Sequence, residues 1–313
     1  DCDGKRYRPE ILEIKIERLA MGSVNARYLN VADVLDLTVS EAAELFAKDR
    51  DVIRALQPIV DVGLEYVKLG QPVPTLSGGE AQRLKLAGFL AGAAKTATAS
   101  KQTLAKKGTL FLFDEPTTGL HFDDIAKLMR ALRKLLEGGH SMIVIEHNLD
   151  VIRASDWLID LGPEGGDAGG YVVAEGMPED VRNHASSHTA LALREYAEAM
   201  GELGGIVKVA EATMPSINKI NRKPTAEDNS IRIVNAKEHN LKNLSVNIPR
   251  GQFNVITGVS GSGKSTLAFD ILFNEGQRRY LESLNAYARS IVQPAGRPEV
   301  DAVYGIPPTV AIE

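Results

Sequence analysis

Cysteine is nearly absent from this sequence, because Cys2 is the only one among its 313 residues. A single thiol cannot close an internal disulfide, so the chain gives no sign of an oxidising compartment. Long apolar runs are missing too: none approaches the roughly 18 residues of a membrane-spanning helix, and the N-terminus lacks the features of a signal peptide. We therefore predict a cytoplasmic protein with no membrane partner. Because the first residue is not Met, we also expect a fragment.

A large excess of charge is lacking as well, since 36 basic and 41 acidic residues leave a net charge of -5. The chain as a whole is therefore not a block that binds polyanions, although a local basic stripe would still allow contact with DNA. Its 44% hydrophobic and 25% charged residues are ordinary for a soluble globular protein. The length allows one large or two modest domains.

The hydrophobic pattern changes character along the chain. In the first quarter, Thr38 precedes a run of helical periodicity, so that Thr38 is a predicted helix cap. Further on, continuous apolar runs at 109–113, 141–145 and 253–257 are typical of strands buried on both faces. Because helical segments separate such runs, we predict an α/β fold. The composition of the Ala/Thr/Lys-rich stretch 93–107 predicts a loop.

The strongest motif follows the run at 253–257 and has the pattern G-x-x-x-x-G-K-[ST], with a predicted helix from Thr266. Such a glycine loop, a Walker A loop, turns backbone amides towards phosphate oxygens. We expect Lys264 to bind the β- and γ-phosphates and the Ser265 hydroxyl to bind Mg²⁺. The predicted ATP-binding residues here are Gly258, Val259, Ser260, Gly261, Ser262, Gly263, Lys264, Ser265 and Thr266.

A second motif is the apolar strand that ends in Asp114 and Glu115. In a Walker B strand, the aspartate holds Mg²⁺ and the glutamate polarises the attacking water. Many buried strands end in an acidic turn without any such role, so this motif is weak alone. It gains support from His147, which follows the strand at 141–145 and is a candidate catalytic residue with Glu115.

A third motif precedes the Walker B strand. Ser77 caps a predicted helix whose amides, with those of Gly78 and Gly79, can bind a γ-phosphate. Glu80 completes this predicted ATP-binding group. Residues 76–83 resemble the signature of ABC ATPases, and residues 116–121 resemble the D-loop of that superfamily. With His147 in the place of its switch histidine, the chain resembles an ABC-type P-loop NTPase.

Flanking strings narrow the resemblance to the UvrA family. They lie at 64–72, 146–152, 160–166, 239–244 and 275–280. This resemblance implies an ATPase of nucleotide excision repair that uses ATP and Mg²⁺ and binds damaged double-stranded DNA and a UvrB-like partner, as a homodimer. It also implies Zn²⁺ in a longer parent, where Cys2 would be the remnant of a zinc module. One thiolate cannot build a structural zinc site, so we predict no metal here.

The order of the motifs is unusual for one ATPase, because Walker A follows the signature and Walker B. We therefore expect two partial nucleotide-binding domains, as at the junction of a tandem UvrA-like protein. The predicted parts are a helical signature module (1–75), the end of one ATPase domain (76–200), a linker (201–229) and the start of a second domain (230–313). We expect weak nucleotide binding and little turnover by the chain alone.

Two other functions fit the generic motifs. The chain could belong to the ATPase subunit of a transporter, or to a resistance or scaffold paralogue that binds nucleotide without repairing DNA. Arg278, Arg279 and Arg289 are candidates for contact with DNA phosphates. The alternative for these three residues is a solvated helix face.

Overall fold

The computed structural model describes residues 6–19, 26–99, 108–204, 229–283 and 296–312. These residues form two compact units. The first contains the described residues up to 99 together with 116–138, and the second contains 108–115 and 139–312. Cys2, Arg289 and the stretches 100–107 and 205–228 lie outside the described residues.

The first unit is mainly helical, as the sequence predicts. Thr38 caps a helix through a capping box, in which its hydroxyl accepts from the Glu41 amide at 3.2 Å. The buried apolar side chains of this unit include Leu37, Ala42 and Leu45. Its elements are α1 (Pro9–Leu12), β1 (Ile16–Arg18), β2 (Arg27–Leu29), α2 (Val31–Asp36), α3 (Val39–Leu45), α4 (Arg50–Asp61), α5 (Gly78–Ala99) and α6 (Phe122–Glu137).

The second unit alternates strands and helices. Its elements are β3 (Leu110–Asp114), β4 (Ser141–Ile145), α7 (Leu149–Arg153), β5 (Trp157–Gly162), β6 (Tyr171–Gly176), α8 (Pro178–Val181), α9 (His188–Gly204), β7 (Ser230–Ala236), β8 (Leu244–Pro249), β9 (Phe253–Gly258), a π-helical segment (Thr266–Phe273), α10 (Asn274–Ser283), β10 (Val300–Tyr304) and β11 (Thr309–Ile312). The strands expected at 109–113, 141–145 and 253–257 are thus β3, β4 and β9.

Six strands of this unit form one sheet in the order β11-β3-β4-β9-β5-β6. All neighbours in it are parallel except β5 and β6, which are antiparallel. The strands β10, β7 and β8 form a separate antiparallel sheet. A mixed α/β fold with a largely parallel sheet is therefore confirmed.

The sheet combines strands from both of the expected partial domains, and the division itself stays a prediction. We predicted that residues 76–200 and 230–313 belong to different ATPase domains, yet β9 lies between β4 and β5 and pairs with both. The physical reason is burial: every residue of β4 and β9 except Gly258 is buried, so each strand needs a neighbour on both edges and a cover on both faces. Motif order along the chain does not determine which strands are adjacent in a sheet.

Two boundaries differ from the sequence prediction. The stretch expected to be a loop from 93 onwards continues α5 as far as Ala99, because alanine has the highest helix propensity. The signature motif at 76–83 belongs to the helical unit rather than to the unit that contains the sheet. Among the residues that the structure describes, no helix combines the length and apolar character needed to cross a bilayer.

The insertion of β9 predicts a stability effect. Ile256 is fully buried in this strand, so Ile256→Ala should lower the free energy of unfolding by about 2–5 kcal/mol. Leu191→Ala is the control, because Leu191 is 47% exposed on α9 and its truncation should cost within about 0.5 kcal/mol. Urea unfolding of the three proteins measures both values. Equal small losses would mean that β9 is not a central strand.

Candidate nucleotide-binding site

The glycine loop predicted to bind phosphates begins where β9 ends. Three of its glycines have positive φ: Gly258 at 134°, Gly261 at 75° and Gly263 at 103°. Other residues rarely adopt these angles, so glycine is required for the loop to fold back on itself. The loop leads into a helical segment in which the Leu267 amide donates to the Gly263 carbonyl at 2.9 Å. This strand–loop–helix arrangement is the one that the Walker A motif predicts.

Close backbone approach is a second reason for glycine in the loop. A Cβ on Gly258 would lie 2.0 Å from the carbonyl oxygen of Leu161 in β5. A Cβ on Gly263 would lie 2.7 Å from the Leu241 side chain. Any side chain at Gly258 would therefore separate β9 from β5 where the loop begins.

A neighbouring loop supports the outer side of the glycine loop. The Gly166 amide donates to the Gly261 carbonyl at 3.0 Å, and the Gly170 amide donates to the Ser262 carbonyl at 3.2 Å. The Asn240 side-chain amide donates to the carbonyls of Gly261, at 2.7 Å, and Gly166, at 3.2 Å. The carbonyl oxygens of Gly261 and Ser262 thus accept hydrogen bonds from donors within the protein.

Lys264 is buried against the loop that precedes it. Its Nζ donates to the carbonyls of Gly258 and Val259, each at 3.0 Å, and the residue is 8% exposed. Burial lowers the pKa of the Lys264 ammonium, and the carboxylates of Glu115 and Asp114, which raise it, oppose that effect. A buried cation with acidic neighbours suits a ligand that brings both phosphate oxygens and Mg²⁺.

The carboxyl ends of β3 and β4 bring the other predicted catalytic residues together. Asp114 is the last residue of β3, and Glu115 follows with a positive φ of 41°. The amide of Glu115 donates to the Ile145 carbonyl at 2.9 Å, which fixes that turn against β4. His147 Nε2 lies 3.4 Å from Glu115 Oε1. A positive φ is uncommon for a residue other than glycine, and residues with such a backbone conformation are found more often at functional sites.

A buried carboxylate orients the backbone that carries His147. Glu146 is 3% exposed, and its Oε2 accepts from the amides of His147, at 2.8 Å, and Asn148, at 3.0 Å. Asn148 in turn caps α7 by accepting from the Asp150 and Val151 amides. The histidine side chain is about half exposed, so it can turn towards a ligand while its backbone stays in place.

The signature residues lie in the helical unit at the start of α5. The amide and hydroxyl of Ser77 donate to Glu80 Oε2 at 2.7 and 2.9 Å, and Ser77 Oγ accepts from the Glu80 amide at 3.3 Å. The hydrogen bond from Tyr66 and those from Ser77 lower the pKa of Glu80. A Cβ at Gly78 would meet nothing within 4 Å, so the space beside this residue is open, while the Ser77 and Glu80 amides already have acceptors within the capping box.

The residues fit ATP better than they fit a dedicated metal site. The glycine cradle and the buried lysine match the triphosphate. Mg²⁺ would be held by Asp114 and the exposed Ser265 with the phosphates, which agrees with the preference of this ion for few protein ligands. In the described part of the chain, no group of three or more His, Cys, Asp or Glu residues could hold a metal ion.

Sequence reasoning assigned no role to the residues that support the glycine loop. Asn240 and Gly166 lie in strings that indicated only the family resemblance, and Gly170 lies outside those strings. Their signal was the glycine-rich stretch 162–170, in which Cβ atoms would clash with the Walker A loop: one on Gly165 would lie 2.3 Å from the Ser260 carbonyl oxygen. Such a clash depends on how two segments of the chain pack together, so the sequence of either segment alone does not reveal it.

The arginines considered for DNA contact have intramolecular partners. Arg278 donates twice to Glu275, through Nε and Nη2 at 2.8 Å each, and Arg279 Nε donates to the same carboxylate at 2.8 Å. Arg279 also donates to the Val303 carbonyl. The two guanidinium groups therefore neutralise a carboxylate that is 5% exposed, rather than form a freely solvated face.

Several curated proteins with similar sequences are described as UvrABC system protein A. No protein-family model matches the chain. UvrABC system protein A of Chlamydia trachomatis is 38% identical over 315 residues, which cover 100% of the chain and 16% of that relative. UvrABC system protein A of Thermus thermophilus is 54% identical over 180 residues, which cover 58% of the chain and 17% of the relative. The chain spans about a sixth of the length of these curated relatives.

A solved structure agrees with the sequence matches. The crystal structure of UvrA2 from Deinococcus radiodurans has a TM-score of 0.51 with the chain at 43% sequence identity, over 62% of this chain and 21% of that one. The strand order and the Walker A loop between β9 and its helix are those of a P-loop nucleotide-binding core of the ABC type. Within that class, the chain is similar to a segment of proteins of the UvrA family.

The ion pairs of Glu275 predict a pH-dependent stability. Burial raises the pKa of Glu275, but the hydrogen bonds from Arg278 and Arg279 outweigh it, so that the pKa is lowered. The stabilisation is therefore present above the unfolded value of about 4.3 and lost as pH falls through the folded pKa. Arg278→Ala should cost about 1.5–3 kcal/mol at pH 7.

Urea unfolding at pH 7 and at about pH 3 measures this effect. The cost of Arg278→Ala should shrink at the lower pH, because a protonated Glu275 no longer needs the cation. Arg232→Ala is the control, since Arg232 lies over the ring of Tyr304 rather than beside Glu275. An equal cost of Arg278→Ala at both pH values would contradict the assignment.

Proposed function

We propose that the chain is an ATP-binding segment of a DNA-damage-recognition ATPase of nucleotide excision repair. The observation that carries this proposal is the sheet order, in which β3, β4 and β9 are adjacent. Their carboxyl ends carry the Walker B carboxylates, His147 and the Walker A loop. Polar groups at the carboxyl ends of neighbouring parallel strands form the ligand site of open α/β sheets.

The residues of the chain divide the binding of ATP between them. The amides of residues 258–265 bind phosphate oxygens, and the Lys264 ammonium binds the β- and γ-phosphates in exchange for the loop carbonyls that it now contacts. A bound Mg²⁺ supplies positive charge to the phosphates, with Asp114 and Ser265 as its protein ligands. The loop amides and the Lys264 ammonium thus complement the negative charge of the triphosphate, and the Asp114 carboxylate would complement the charge of Mg²⁺.

Hydrolysis requires a group that orients and deprotonates water, and Glu115 is that group in this proposal. Its carboxylate accepts the proton of the attacking water, while His147, 3.4 Å from Glu115 Oε1, holds the carboxylate in position. The exposed location of both side chains allows the γ-phosphate to reach them.

The adjacency of β9 and β4 changes the expected activity of the chain alone. We expected weak binding because Lys264 lacked a Walker B strand of its own domain, but β3 fills that place in the sheet. We now propose that the chain binds ATP without help. Turnover requires in addition a signature helix, like the one that Ser77 precedes, with its N-terminus at the γ-phosphate. The second protomer of a homodimer supplies that helix, as the resemblance to UvrA implies.

The parent protein is proposed to be a tandem UvrA-like protein. The Chlamydia trachomatis relative aligns with the whole chain, through both the signature and the later Walker A loop. The 315 aligned residues are 16% of the Chlamydia trachomatis relative, whereas the 180 aligned residues are 17% of the Thermus thermophilus relative. The Chlamydia trachomatis protein is therefore much the longer of the two. The proposed parent acts in the cytoplasm on damaged double-stranded DNA with a UvrB-like partner, and its complete zinc modules hold Zn²⁺.

Nucleotide binding tests the proposal. Lys264→Ala should weaken binding of Mg-ATP by ~10–100-fold, because charge-assisted hydrogen bonds to phosphate are lost. Lys237→Ala is a matched control, since that lysine is exposed in the same unit. Calorimetric titration of the 313-residue chain measures the dissociation constants. Failure of the unsubstituted chain to bind Mg-ATP would exclude the proposed site.

Turnover tests the role of Glu115. In the longer parent, Glu115→Gln should reduce ATP hydrolysis by about 10²–10⁴-fold, the usual contribution of a general base. Binding of Mg-ATP should remain, because the amide keeps the size of the carboxylate. Glu198→Gln, at an exposed position of α9, should leave hydrolysis unchanged. If Glu115→Gln hydrolyses ATP at the normal rate, another group activates the water.

A further inference from the structure

Asp160 is a buried carboxylate that the proposed chemistry does not use. It lies in β5 and is 3% exposed. Its partner on the neighbouring strand β9 is Thr257, the residue directly before the Walker A loop. An isolated carboxylate is costly to bury, because it loses its hydration. The burial of Asp160 therefore requires partners that compensate the lost hydration.

Three hydroxyl groups compensate this carboxylate. Thr257 Oγ1 donates to Asp160 Oδ1 at 2.9 Å, Thr189 Oγ1 donates to the same oxygen at 2.8 Å, and Ser187 Oγ donates to Oδ2 at 2.6 Å. Hydrogen bonds to a charged acceptor are shorter and stronger than neutral ones, as these distances are. Both carboxylate oxygens thus accept hydrogen bonds from protein hydroxyls, so Asp160 is part of a network within the protein.

The donors come from two different parts of the second unit. Thr257 belongs to β9, directly before Gly258, whereas Ser187 and Thr189 lie at the start of α9. Ser187 also accepts from the Ala190 amide at 2.9 Å and thus caps that helix. Asp160 therefore ties the base of the Walker A loop to the N-terminus of α9 through β5.

We propose that Asp160 is a positioning residue for the Walker A loop, acting through the Thr257 hydroxyl. The first glycine of the loop touches the β5 backbone at Leu161, the residue after Asp160, so the hydrogen bond holds β9 against β5 at the place where that contact is tightest. With Thr257 fixed, the loop amides keep one arrangement before ATP arrives. Preorganisation of this kind increases affinity because less freedom is lost on binding.

This inference rests on the proposed ATP site, and its test separates the two. Dissociation constants for Mg-ATP are measured with the unsubstituted chain, Thr257→Val and Thr257→Ser, together with the melting temperature of each without nucleotide. Thr257→Val keeps the shape of the side chain and removes the hydroxyl, so affinity should fall about tenfold. Thr257→Ser restores the hydroxyl and should bind within about twofold of the unsubstituted chain.

Two alanine variants show whether Thr257 acts through Asp160. In an Asp160→Ala background, Thr257→Val should cause no further loss of affinity, because its acceptor is already gone. Asp156→Ala is the matched control: Asp156 accepts from the Phe253 amide at 2.8 Å at the other end of β9, so its loss should lower the melting temperature but leave affinity unchanged. If Asp160→Ala does not fold, the two Thr257 variants decide the question.

The outcomes are distinct. If the unsubstituted chain does not bind Mg-ATP, the proposed function fails and this inference fails with it. If the chain binds, and Thr257→Val binds equally well or Thr257→Ser is as weak as Thr257→Val, the positioning role is wrong while the proposed function stands. If Asp156→Ala loses as much affinity as Thr257→Val, the effect is one of general stability and the inference is overturned.

Discussion

The parallel pairing of β9 with β4 on one side and β5 on the other underlies the rest of the second unit. In β9, every residue except Gly258 is buried, and no strand of that kind can lie at a solvated edge without leaving apolar surface in water. Once β9 is central, its carboxyl end carries the glycine loop to the same edge of the sheet as Glu115 and His147. The proposed nucleotide site is a consequence of that packing.

Polar groups at this edge are held by neighbours rather than by their own strands. Glu146 orients the backbone of His147, Asn240 holds the outer side of the glycine loop, and Asp160 holds its base. Each supporting group is at least partly buried, where an unpaired polar atom would be costly, so each has hydrogen-bond partners. A strained loop and a left-handed Glu115 persist because the surroundings fix them.

Sequence patterns predicted local structure well and assembly less well. The apolar runs at 109–113, 141–145 and 253–257 are β3, β4 and β9, and the cap at Thr38 is present. The stretch from 93 was expected to be a loop but is helical to Ala99, since composition rather than periodicity was the basis for that interpretation. The two-domain division stays a prediction, and strands from both predicted parts share one sheet, because adjacency in a sheet depends on burial across the chain and not on order within it.

The sequence by itself predicts the chemistry of the candidate site, since a glycine loop with Lys264 and a strand ending in Asp114 and Glu115 match, through local spacing alone, motifs that bind phosphate and magnesium. It also indicated the resemblance to the UvrA family, because sequences can be compared without a structure, and two such relatives are 38% and 54% identical to the chain over the matched residues. Only the tertiary structure decided that segments far apart in the chain share one sheet, and that Asp160 contacts Thr257. Those facts depend on which buried surfaces meet, and a linear pattern contains no information on distance between its parts.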